Sequence, residues 1–548
     1  MTRRTALQTG LAVPMFGAGT SRIKAIVERN DGEIARLLKS QTTDADAQDA
    51  GGFKDEYGLA EAYICGGALS TYTAGFLHAD SRFYRDRTLA QRISSAGRFL
   101  IRKQHSDGLI DLLRSNFHSP PDTGFVVHEV ATAACLLKRA GEQALFGELE
   151  RFLIAAGRGL VTGGVHTANH RWVVCSALAQ LHELFRDPAY TARIDQWLRE
   201  SVDIDEDGQF TERSTSVYDA ACDRAFVVMA HKLNRPQLLE SPRRNLAGML
   251  YLLHDNLEVV TEISRRQDQY SRAGMGRFWF PLTYLALHDG NGVLMSLVDR
   301  LEPEHARLSA LLEYPELAAG GPDRMPLPTR YERHFPALAI ARFRDAAMSA
   351  TLLADNPTLF ALRNGDAVIE SVSVECSFFG KGQFAAASLI KGDGRYTLNQ
   401  TIQRGYWQVF EPSRVVQVGT WGAVRPNRPA SNVCRLEYKA ELQRTREGFD
   451  LRIVCNGTEG VPAAIRIGVA EGTTITGCDP HPQYPDEKVL RSQFATVAAG
   501  GKKIRFGPGV FAHSYTRIGE PVRPPIPGIP VYLTAFTPFD RTLHFELS

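Results

Sequence analysis

Three side chains able to transfer protons or to neutralise an anion stand at two points in the first half of the sequence. Asn169 and His170 are adjacent, and Tyr218 follows 48 residues after His170. Histidine and tyrosine are common general acids and bases, and an amide can donate a hydrogen bond to a carboxylate. The set suits β-elimination at a uronic acid, in which a base removes the C5 proton and an acid protonates the leaving oxygen at C4.

In such a reaction the carboxylate next to C5 must be neutralised, because the intermediate is enolate-like. We expect Asn169 to do this, with His170 and Tyr218 as the acid and the base. Which of the two is the base depends on whether the elimination is syn or anti, and the sequence leaves that open. The product would carry a 4,5-unsaturated uronate.

Charged, polar and aromatic side chains close to these three would suit an acidic sugar. A guanidinium can hold a carboxylate through two hydrogen bonds, and an indole can stack on a sugar face. The candidate substrate-binding residues are Asn116, Asp122, Arg171, Trp172, Glu212, Arg213, Arg265, Arg266, Tyr270 and Arg272.

Several candidates also have ordinary structural explanations. Asn169 is a good N-cap residue, and Trp172 could pack in a helical core. Glu212 and Arg213 could pair with each other and support their loop. Arg265 and Arg266 are adjacent, so we expect one of them to serve the structure and not the ligand.

The spacing of apolar residues from about 52 to 315 predicts helices. Candidate helices begin near Thr123, Asn169 and Ser214, about 45 residues apart, and a fourth begins near Gly274. Another helix lies between neighbours, so the pattern predicts antiparallel pairs that curl into an α/α solenoid or toroid. The candidate residues precede or begin the repeated helices, and we expect them to line one rim.

The sequence pattern of the second half is typical of an antiparallel β-domain. Short β-branched segments such as 367–374 and 414–418 alternate with Gly, Asn and Asp. The expected fold class is α+β multidomain, an N-terminal (α/α) incomplete toroid followed by a C-terminal antiparallel β-sandwich. The expected divisions are an export signal and leader at 1–30, the toroid at 31–317, a linker at 318–330 and the sandwich at 331–548.

Bulk properties exclude some classes of protein. With 44% hydrophobic and 23% charged residues the chain can form packed cores, and a formal net charge of +2 argues against nucleic acid as the main partner. Arg3 and Arg4 before a mildly apolar stretch resemble a twin-arginine export signal, so we expect a periplasmic or secreted protein. No stretch of the sequence is long and apolar enough to predict a membrane span.

No cofactor is predicted from the sequence. The eight cysteines form no CxxC pair and no zinc-ribbon spacing. His481 beside Cys478 and Asp479 leaves open a structural metal in the β-domain, although a solvated turn explains the same residues.

The motifs resemble those of a known group of enzymes. The Asn169–His170 pair is similar to the adjacent Asn-His of alginate and oligoalginate lyases, and 207–218 follows the DG…ERS pattern before their catalytic tyrosine. The chain thus resembles heparinase II/III-like, oligoalginate and chondroitin AC-type polysaccharide lyases. The resemblance implies an α/α toroid before a β-sandwich, an acidic poly- or oligosaccharide substrate, and His170 and Tyr218 as the acid/base pair. It also implies a further catalytic group from the β-domain, for which the candidates are Tyr396, Tyr406, His513 and Tyr515.

Two other functions fit the same sequence. An inverting glycoside hydrolase needs two carboxyl groups, which Asp122, Glu212 and Asp268 could supply. A non-catalytic protein that binds acidic glycans would use the same arginines. The oligomeric state is not readable from the sequence.

Overall fold

A ring of helix pairs forms the N-terminal part of the computed structural model, which describes residues 21–411, 421–518 and 526–548. In this part helices alternate in direction, as the sequence predicts. The helices of the ring are α1 (Ser21–Ser40), α2 (Ala62–Leu77), α3 (Arg87–Lys103), α4 (Pro120–Arg139), α5 (Gln143–Thr162), α6 (Ala168–Phe185), α7 (Pro188–Leu198), α8 (Tyr218–Leu233), α9 (Glu240–Met249), α10 (Trp279–His288), α11 (Gly292–His305) and α12 (Leu308–Glu313).

Helices α2, α4, α6, α8 and α10 form the inner layer and lie side by side in sequence order. They are buried on most of their surface, because the outer helices cover one side and the ring interior the other. The outer helices α3, α5 and α7 follow the same order behind them. Since every second helix runs in the same direction, the N-terminal ends of the inner helices meet at one rim.

The predicted starts of the repeated helices are close to the observed ones. Helices α4 and α6 begin at Pro120 and Ala168, and α4 is capped by Ser119, whose hydroxyl accepts from the amide of Asp122. Helices α8 and α10 begin a few residues later than predicted, at Tyr218 and Trp279. The delay arises because turns occupy the residues just before them.

The helical part begins earlier than the sequence predicted. Helix α1 starts at Ser21, buries Ile26 and Val27, and binds Glu302 of α11 through the guanidinium of Arg22. Residues 21–30 therefore belong to the toroid, which corrects the predicted leader of 1–30. Arg3 and Arg4 of the predicted export signal lie outside the described residues.

One tight turn recurs in the loops that lead to the rim. The amide of Gly58 donates to the carbonyl of Asp55, that of Gly108 to His105, and that of Gly208 to Asp205. These three glycines have φ values of 79°, 86° and 87°, which favour residues without a Cβ. The recurrence about every 50 or 100 residues shows a repeat slightly longer than the 45 residues predicted.

At the opposite end of the inner helices a buried ammonium joins three elements. Lys232, in the last turn of α8, lies 2.7 Å from Glu183 of α6 and 2.8 Å from Glu313 of α12. Glu313 also accepts from Thr132 of α4 at 2.6 Å. Burial lowers the pKa of Lys232, but the two carboxylates outweigh it, so that the pKa is raised. The short helix α12 thereby lies across the C-terminal ends of the inner helices.

After an irregular connection, strands occupy the rest of the described chain. One hairpin, β1 (Ile110–Leu112) and β2 (Asn116–Ser119), belongs to the toroid, and one short helix, α13 (Trp421–Val424), lies among the later strands. The later strands are β3 (Arg330–Phe335), β4 (Ile340–Asp345), β5 (Met348–Leu353), β6 (Phe360–Asn364), β7 (Ala367–Cys376), β8 (Gly382–Gln383), β9 (Leu389–Gly392), β10 (Arg395–Trp407), β11 (Ala430–Arg444), β12 (Gly448–Gly457), β13 (Pro462–Val469), β14 (Thr474–Thr476), β15 (Asp479–Pro480), β16 (Lys488–Val489), β17 (Ala495–Ala499), β18 (Lys502–Gly507), β19 (Ile529–Phe536) and β20 (Phe539–Leu547).

These strands form a sandwich of two large sheets. One has the order β14-β17-β18-β20-β12-β11-β10-β9 and the other β15-β16-β19-β13-β7-β6-β5-β4-β3, with β8 paired to β7. Phe360 of one sheet packs against Phe449 and Phe545 of the other, at ring-centroid distances of 5.5 and 5.4 Å. Pairing is antiparallel as predicted, except that β16 runs parallel to β19.

The sandwich docks on the toroid through buried arginines. Arg342 and Arg344 donate to the carbonyl of Leu253, and Arg342 also reaches the carbonyl of Tyr251. His254 contacts Ser349 at 2.9 Å. The loop before α10 is thus held between the two parts. Among the described residues, none of the helices has the length and apolar character needed to cross a bilayer.

The Lys232 cluster predicts a large effect on stability. We expect Lys232→Met to lower the free energy of unfolding of the toroid by about 3–5 kcal/mol, because the buried carboxylate of Glu313 and the partly buried one of Glu183 lose their counter-ion. Chemical denaturation followed by circular dichroism measures this. Lys24→Met is the control, since Lys24 pairs with Glu28 on the surface and should change stability by less than about 1 kcal/mol. Equal effects of the two substitutions would contradict the assignment.

Candidate active site

Four segments from different inner helices converge at the N-terminal rim. Asp122 lies in the first turn of α4, His170 in the first turn of α6, and Tyr218 at the start of α8. Arg266, from the loop before α10, lies with its guanidinium 5.4 Å from the centroid of the Tyr218 ring. The charges of Asp122 and Arg266 both act on the pKa of His170, so all four groups share one site.

A carboxylate holds two of these segments together. Glu212 accepts from the backbone amide of Asn169 at 3.1 Å and also from its side-chain Nδ2. The other Glu212 oxygen lies 3.3 Å from Nε of Arg266. Asn169 donates as well to the hydroxyl of Thr167 at 3.2 Å, while its Oδ1 is buried with no partner in the described structure. The amide donors of Asn169 therefore bond Glu212 and Thr167.

His170 is held as a neutral imidazole. Burial, with a smaller contribution from His166, lowers the pKa of His170 to about 4. The ring of His166 meets it edge-on at 4.7 Å, and Phe125 packs at 6.3 Å. Nδ1 of His170 is buried and has no hydrogen-bond partner among the described residues. Near neutral pH the ring can therefore accept a proton.

Tyr218 has an oriented hydroxyl. Nε2 of Gln267 donates to its oxygen at 2.8 Å, which leaves the phenolic proton for another acceptor. The backbone amide of Tyr218 donates to the hydroxyl of Ser214 at 3.2 Å, which fixes the first turn of α8. Tyr218 thus lies at the rim at the start of α8, with its hydroxyl held by Gln267 and its backbone by Ser214.

Asp268 is the structural centre of the loops around Tyr218. Its carboxylate accepts from the hydroxyls of Ser214, Ser216 and Ser264, and from the amide of Ser216, at 3.0–3.1 Å. The residue is buried, at 4% exposure. These contacts bind the loop before α8 to the loop before α10, and so they position Tyr218 relative to Arg266.

Two predicted substrate-binding residues on α6 do not reach the rim. Trp172 is completely buried, packs on Phe226 and donates to Asp203 at 2.9 Å. Arg171 pairs with the same Asp203 at 2.7 Å and with Glu200 at 3.3 Å. Both predictions are wrong, because the inner helix buries the faces that carry these side chains.

Four other predicted residues contact the sandwich. Arg213 donates to the carbonyl of Ala337 at 2.7 Å, and Arg265 pairs with Asp355. Tyr270 and Arg272 also bond residues of the sandwich. Tyr270 bonds Asn356 and Thr358 at 3.0 and 3.1 Å, and Arg272 pairs with Glu370 at 2.9 Å. In this structure these four side chains join the toroid to the β-domain, and their assignment as substrate-binding residues stays a prediction.

Asn116 and Asp122 remain at the rim but bind each other. Nδ2 of Asn116 donates to Asp122 at 2.8 Å, and the hydroxyl of Ser119 donates to the same oxygen. Asp122 thereby joins the β1–β2 hairpin to the start of α4. The structure brings together Asn116, Asp122, Asn169, His170, Glu212, Tyr218 and Arg266 from the predicted set.

Two rim residues escaped the sequence analysis. His166 contacts the ring of His170, and Gln267 bonds the hydroxyl of Tyr218. Both lie in loops, where periodicity gives no signal. The only hint was their proximity in sequence to Asn169 and Arg266.

The β-domain candidates Tyr396, Tyr406, His513 and Tyr515 take part in none of the rim contacts described above. Tyr396 is buried and donates to Glu332 at 2.9 Å, while His513 bonds the carbonyl of Ala535 at 2.9 Å. Sandwich segments that bond the rim loops include those at 337–338, 355–358 and 370. None of the suggested residues belongs to them.

The residues suggested for a metal in the β-domain do not fit one. Nδ1 of His481 accepts from the amides of Gln483 and Tyr484 at 3.0 and 3.1 Å, and Nε2 lies 3.1 Å from the carbonyl of Ser514. Both ring nitrogens are therefore used by the backbone. Asp479 pairs with Arg491 at 3.1 Å.

Solved structures share this architecture at low sequence identity. A Paenibacillus xanthan lyase matches with a TM-score of 0.55 and 10% identity over 88% of this chain, which spans only 51% of that enzyme. Heparinase III matches with a TM-score of 0.55 and 12% identity, covering 100% of this chain and 87% of its own. The Streptomyces coelicolor A3 chondroitin AC lyase, solved with chondroitin sulphate, matches with 0.55 and 12%, covering 97% and 80%.

These likenesses show the fold, a helical toroid followed by a β-sandwich of the polysaccharide-lyase type. No protein-family model matches the sequence. No curated protein sequence matches it either.

The environment of His170 predicts its titration. We expect the ring to stay neutral until about pH 4, because burial lowers its pKa. Nuclear magnetic resonance of histidine-labelled protein measures this, with His170→Gln used to assign the signal. His118 is the internal control, since the neighbouring Asp107 raises its pKa, and it should titrate above His170. A midpoint for His170 near the ordinary value of about 6.5 would contradict the buried geometry.

Proposed function

We propose that this chain, which has a polysaccharide-lyase-like fold, is a lyase that cleaves a uronic-acid-containing glycan by β-elimination. The observation that carries the proposal is the convergence of Asn169, His170, Tyr218 and Arg266 at the N-terminal ends of the inner helices. Two proton-transfer groups and two donors for a carboxylate meet there, which is the set that this elimination requires.

The substrate carboxylate would bind between Asn169 and Arg266. Glu212 lies between these two residues, bonded to Nδ2 of Asn169 and paired with Nε of Arg266. These donors are therefore arranged around an anion. A uronate would take over some of them, and the amides at the start of α6 would add to its stabilisation. Spreading charge onto this carboxylate lowers the barrier to removing the C5 proton.

His170 and Tyr218 would divide the proton transfers. The neutral ring of His170 can accept a proton, and the phenol of Tyr218, with Gln267 bonded to its oxygen, can donate one or act as base when ionised. Which of the two residues is the base depends on the C5 epimer of the uronate, because the two epimers carry the C5 proton on opposite faces of the sugar ring. His166, in contact with His170, offers a route for the proton to solvent.

The hydrolase alternative is less well supported, because its carboxylates are engaged elsewhere. Asp268 accepts from three serine hydroxyls, and Glu212 holds Asn169 and Arg266. Asp122 accepts from Asn116 and Ser119. Each carboxylate supports the rim, and none is presented alone toward an open space. A binding protein without catalysis would have little need for the oriented phenol of Tyr218.

We place the protein in the periplasm or outside the cell. The proposal rests on the paired arginines at the start of the sequence and on the extracellular occurrence of acidic polysaccharides. The proposed mechanism requires no cofactor, because Asn169 and Arg266 would neutralise the substrate carboxylate.

Ultraviolet absorbance of an unsaturated uronate tests the reaction directly. Purified protein is incubated separately with alginate, heparan sulfate, hyaluronan, chondroitin, pectic polysaccharides and other glucuronate-rich polymers. We expect absorbance to rise with at least one, and Tyr218→Phe to lower kcat by about 10²–10⁴-fold, because the phenolic proton is lost while the ring remains.

Asp122→Asn separates the lyase from the hydrolase. If the protein is a lyase, Asp122→Asn keeps substantial activity and Tyr218→Phe loses it. New reducing ends without the absorbance, abolished in Asp122→Asn and retained in Tyr218→Phe, would refute the lyase proposal and establish hydrolysis.

Adjacent arginines provide a matched test of carboxylate binding. We expect Arg266→Gln to raise KM and to lower kcat, each by about tenfold or more, since a charge-assisted hydrogen bond to the carboxylate strengthens in the transition state. Arg265→Gln should change both constants by less than about threefold, because Arg265 pairs with Asp355 of the sandwich. Steady-state kinetics on the cleaved polymer measure both, and similar effects of the two variants would contradict the assignment.

A further inference from the structure

The β1–β2 hairpin forms part of the rim beside the candidate active site. Its tip lies at Leu113–Ser115, and the amide of Leu113 donates to Glu61 at the start of α2 at 3.4 Å. The guanidinium of Arg114 lies 6.0 Å from the ring centroid of Tyr57. The hairpin therefore joins the loops that precede two neighbouring inner helices, α2 and α4.

Aromatic side chains on this sector of the rim are unusually open to solvent. Tyr57 is 68% exposed and Phe117, on β2, is 65% exposed. Large aromatic groups usually bury most of their surface, and exposed ones that gather beside a polar site mark contact surfaces. The Tyr57 ring lies beside Arg114 of the hairpin tip, and Phe117 follows three residues later on β2.

Arg114 differs from the other arginines of the rim. Arg265 and Arg272 pair with carboxylates of the sandwich, and Arg171 with two in its own region. Arg266 pairs with Glu212. Arg114 is exposed and forms no ion pair within the part of the chain that the structure describes. Its guanidinium can therefore bind an external anion without first leaving a carboxylate.

A buried carboxyl group beneath the hairpin supplies a second sign of an incomplete site. Glu61 is 2% exposed, and its Oε1 has no hydrogen-bond partner among the described residues. Burial raises its pKa, while the amide of Leu113 and the charge of Arg114 act in the opposite direction. Such an atom is normally satisfied, by a ligand or by water.

The hairpin is continuous with the catalytic centre. Asn116, on the same strand as Phe117, donates to Asp122 at 2.8 Å. The charge of Asp122 in turn acts on His170. The hairpin is therefore bonded, through Asn116 and Asp122, to a helix start that belongs to the candidate active site.

We propose that Tyr57, Arg114 and Phe117 form a subsite that binds a second acidic sugar of the same glycan, next to the uronate that is cleaved. The inference rests on the proposed lyase function for its choice of ligand. Arg114 binds the carboxylate or sulfate of that sugar, and the two rings stack on sugar faces. The subsite makes the protein selective for polymers with repeated anionic groups.

Affinity electrophoresis in native gels tests this without requiring cleavage. The gels contain alginate, chondroitin sulfate, chemically desulfated chondroitin or neutral dextran. We expect an acidic polymer, and not dextran, to retard the wild-type protein, and Arg114→Gln to weaken its apparent affinity by about tenfold. Tyr57→Ala and Phe117→Ala should weaken it by a few-fold. Because the contact between Arg114 and the anion is exposed, rising salt should lower the polymer affinity of the wild-type protein more than that of Arg114→Gln.

Control variants on the sandwich separate this subsite from a general charge or aromatic effect. Arg330→Gln and Tyr515→Ala alter an exposed arginine, which pairs with Asp345, and an exposed tyrosine, both of the sandwich, and they should migrate like the wild-type protein. Retardation by alginate and desulfated chondroitin identifies a carboxylate as the bound anion, and retardation by the sulfated polymer alone identifies a sulfate.

The subsite and the lyase can fail separately. Unchanged retardation of Arg114→Gln and Tyr57→Ala, or no retardation of the wild-type protein by any acidic polymer, overturns the subsite even if cleavage is observed. Retardation that depends on Arg114 without any unsaturated product supports the subsite and refutes the lyase.

Discussion

The parallel alignment of the inner helices is the constraint on which the rest of the structure depends. It brings the positive ends of several helix dipoles to one rim and the negative ends to the other. Cations compensate the C-terminal ends, where Lys138 donates to the carbonyl of Leu184 and Lys232 is buried between Glu183 and Glu313. The opposite rim favours anions by the same physics. Its affinity for negative charge is therefore a consequence of the fold before any particular side chain is considered.

At the N-terminal rim, carboxylates of the protein itself occupy this region that favours anions. Asp122, Glu212 and Asp268 each accept hydrogen bonds that join one loop to the next. A carboxylate used in this way gives the rim a fixed shape, and it is poorly placed to exchange protons with a substrate. The proton-transfer groups that remain are His170 and Tyr218. This division is the physical reason for proposing elimination, and not hydrolysis, at an opening that contains several acids.

Much of this arrangement could be predicted from the sequence. The repeat of apolar segments gave the toroid, and residues at the start of its helices, Asn169, His170 and Tyr218, were placed on one rim because the repeat requires it. Trp172 was misjudged because an inner helix is buried on both sides, so its pattern does not show which face is open. Pairs such as Arg265–Asp355 and Arg272–Glu370 join residues 90 and 98 positions apart. They depend on how the sandwich docks, which local periodicity does not encode.

The docking of the sandwich also determines which cations remain for a ligand. Arg213 and Arg265 are bound to the segments at 337 and 355, so that side of the rim is committed to the interface. Arg266, one residue further, turns toward Tyr218, and Arg114 stands across the rim on a hairpin that the sandwich does not hold. Arg266, which pairs with Glu212, and Arg114, which forms no ion pair among the described residues, are thus two rim cations that the sandwich does not hold. Under the proposed function, a polymer that carries negative charges on neighbouring sugars would present one anion to Arg266 and another to Arg114.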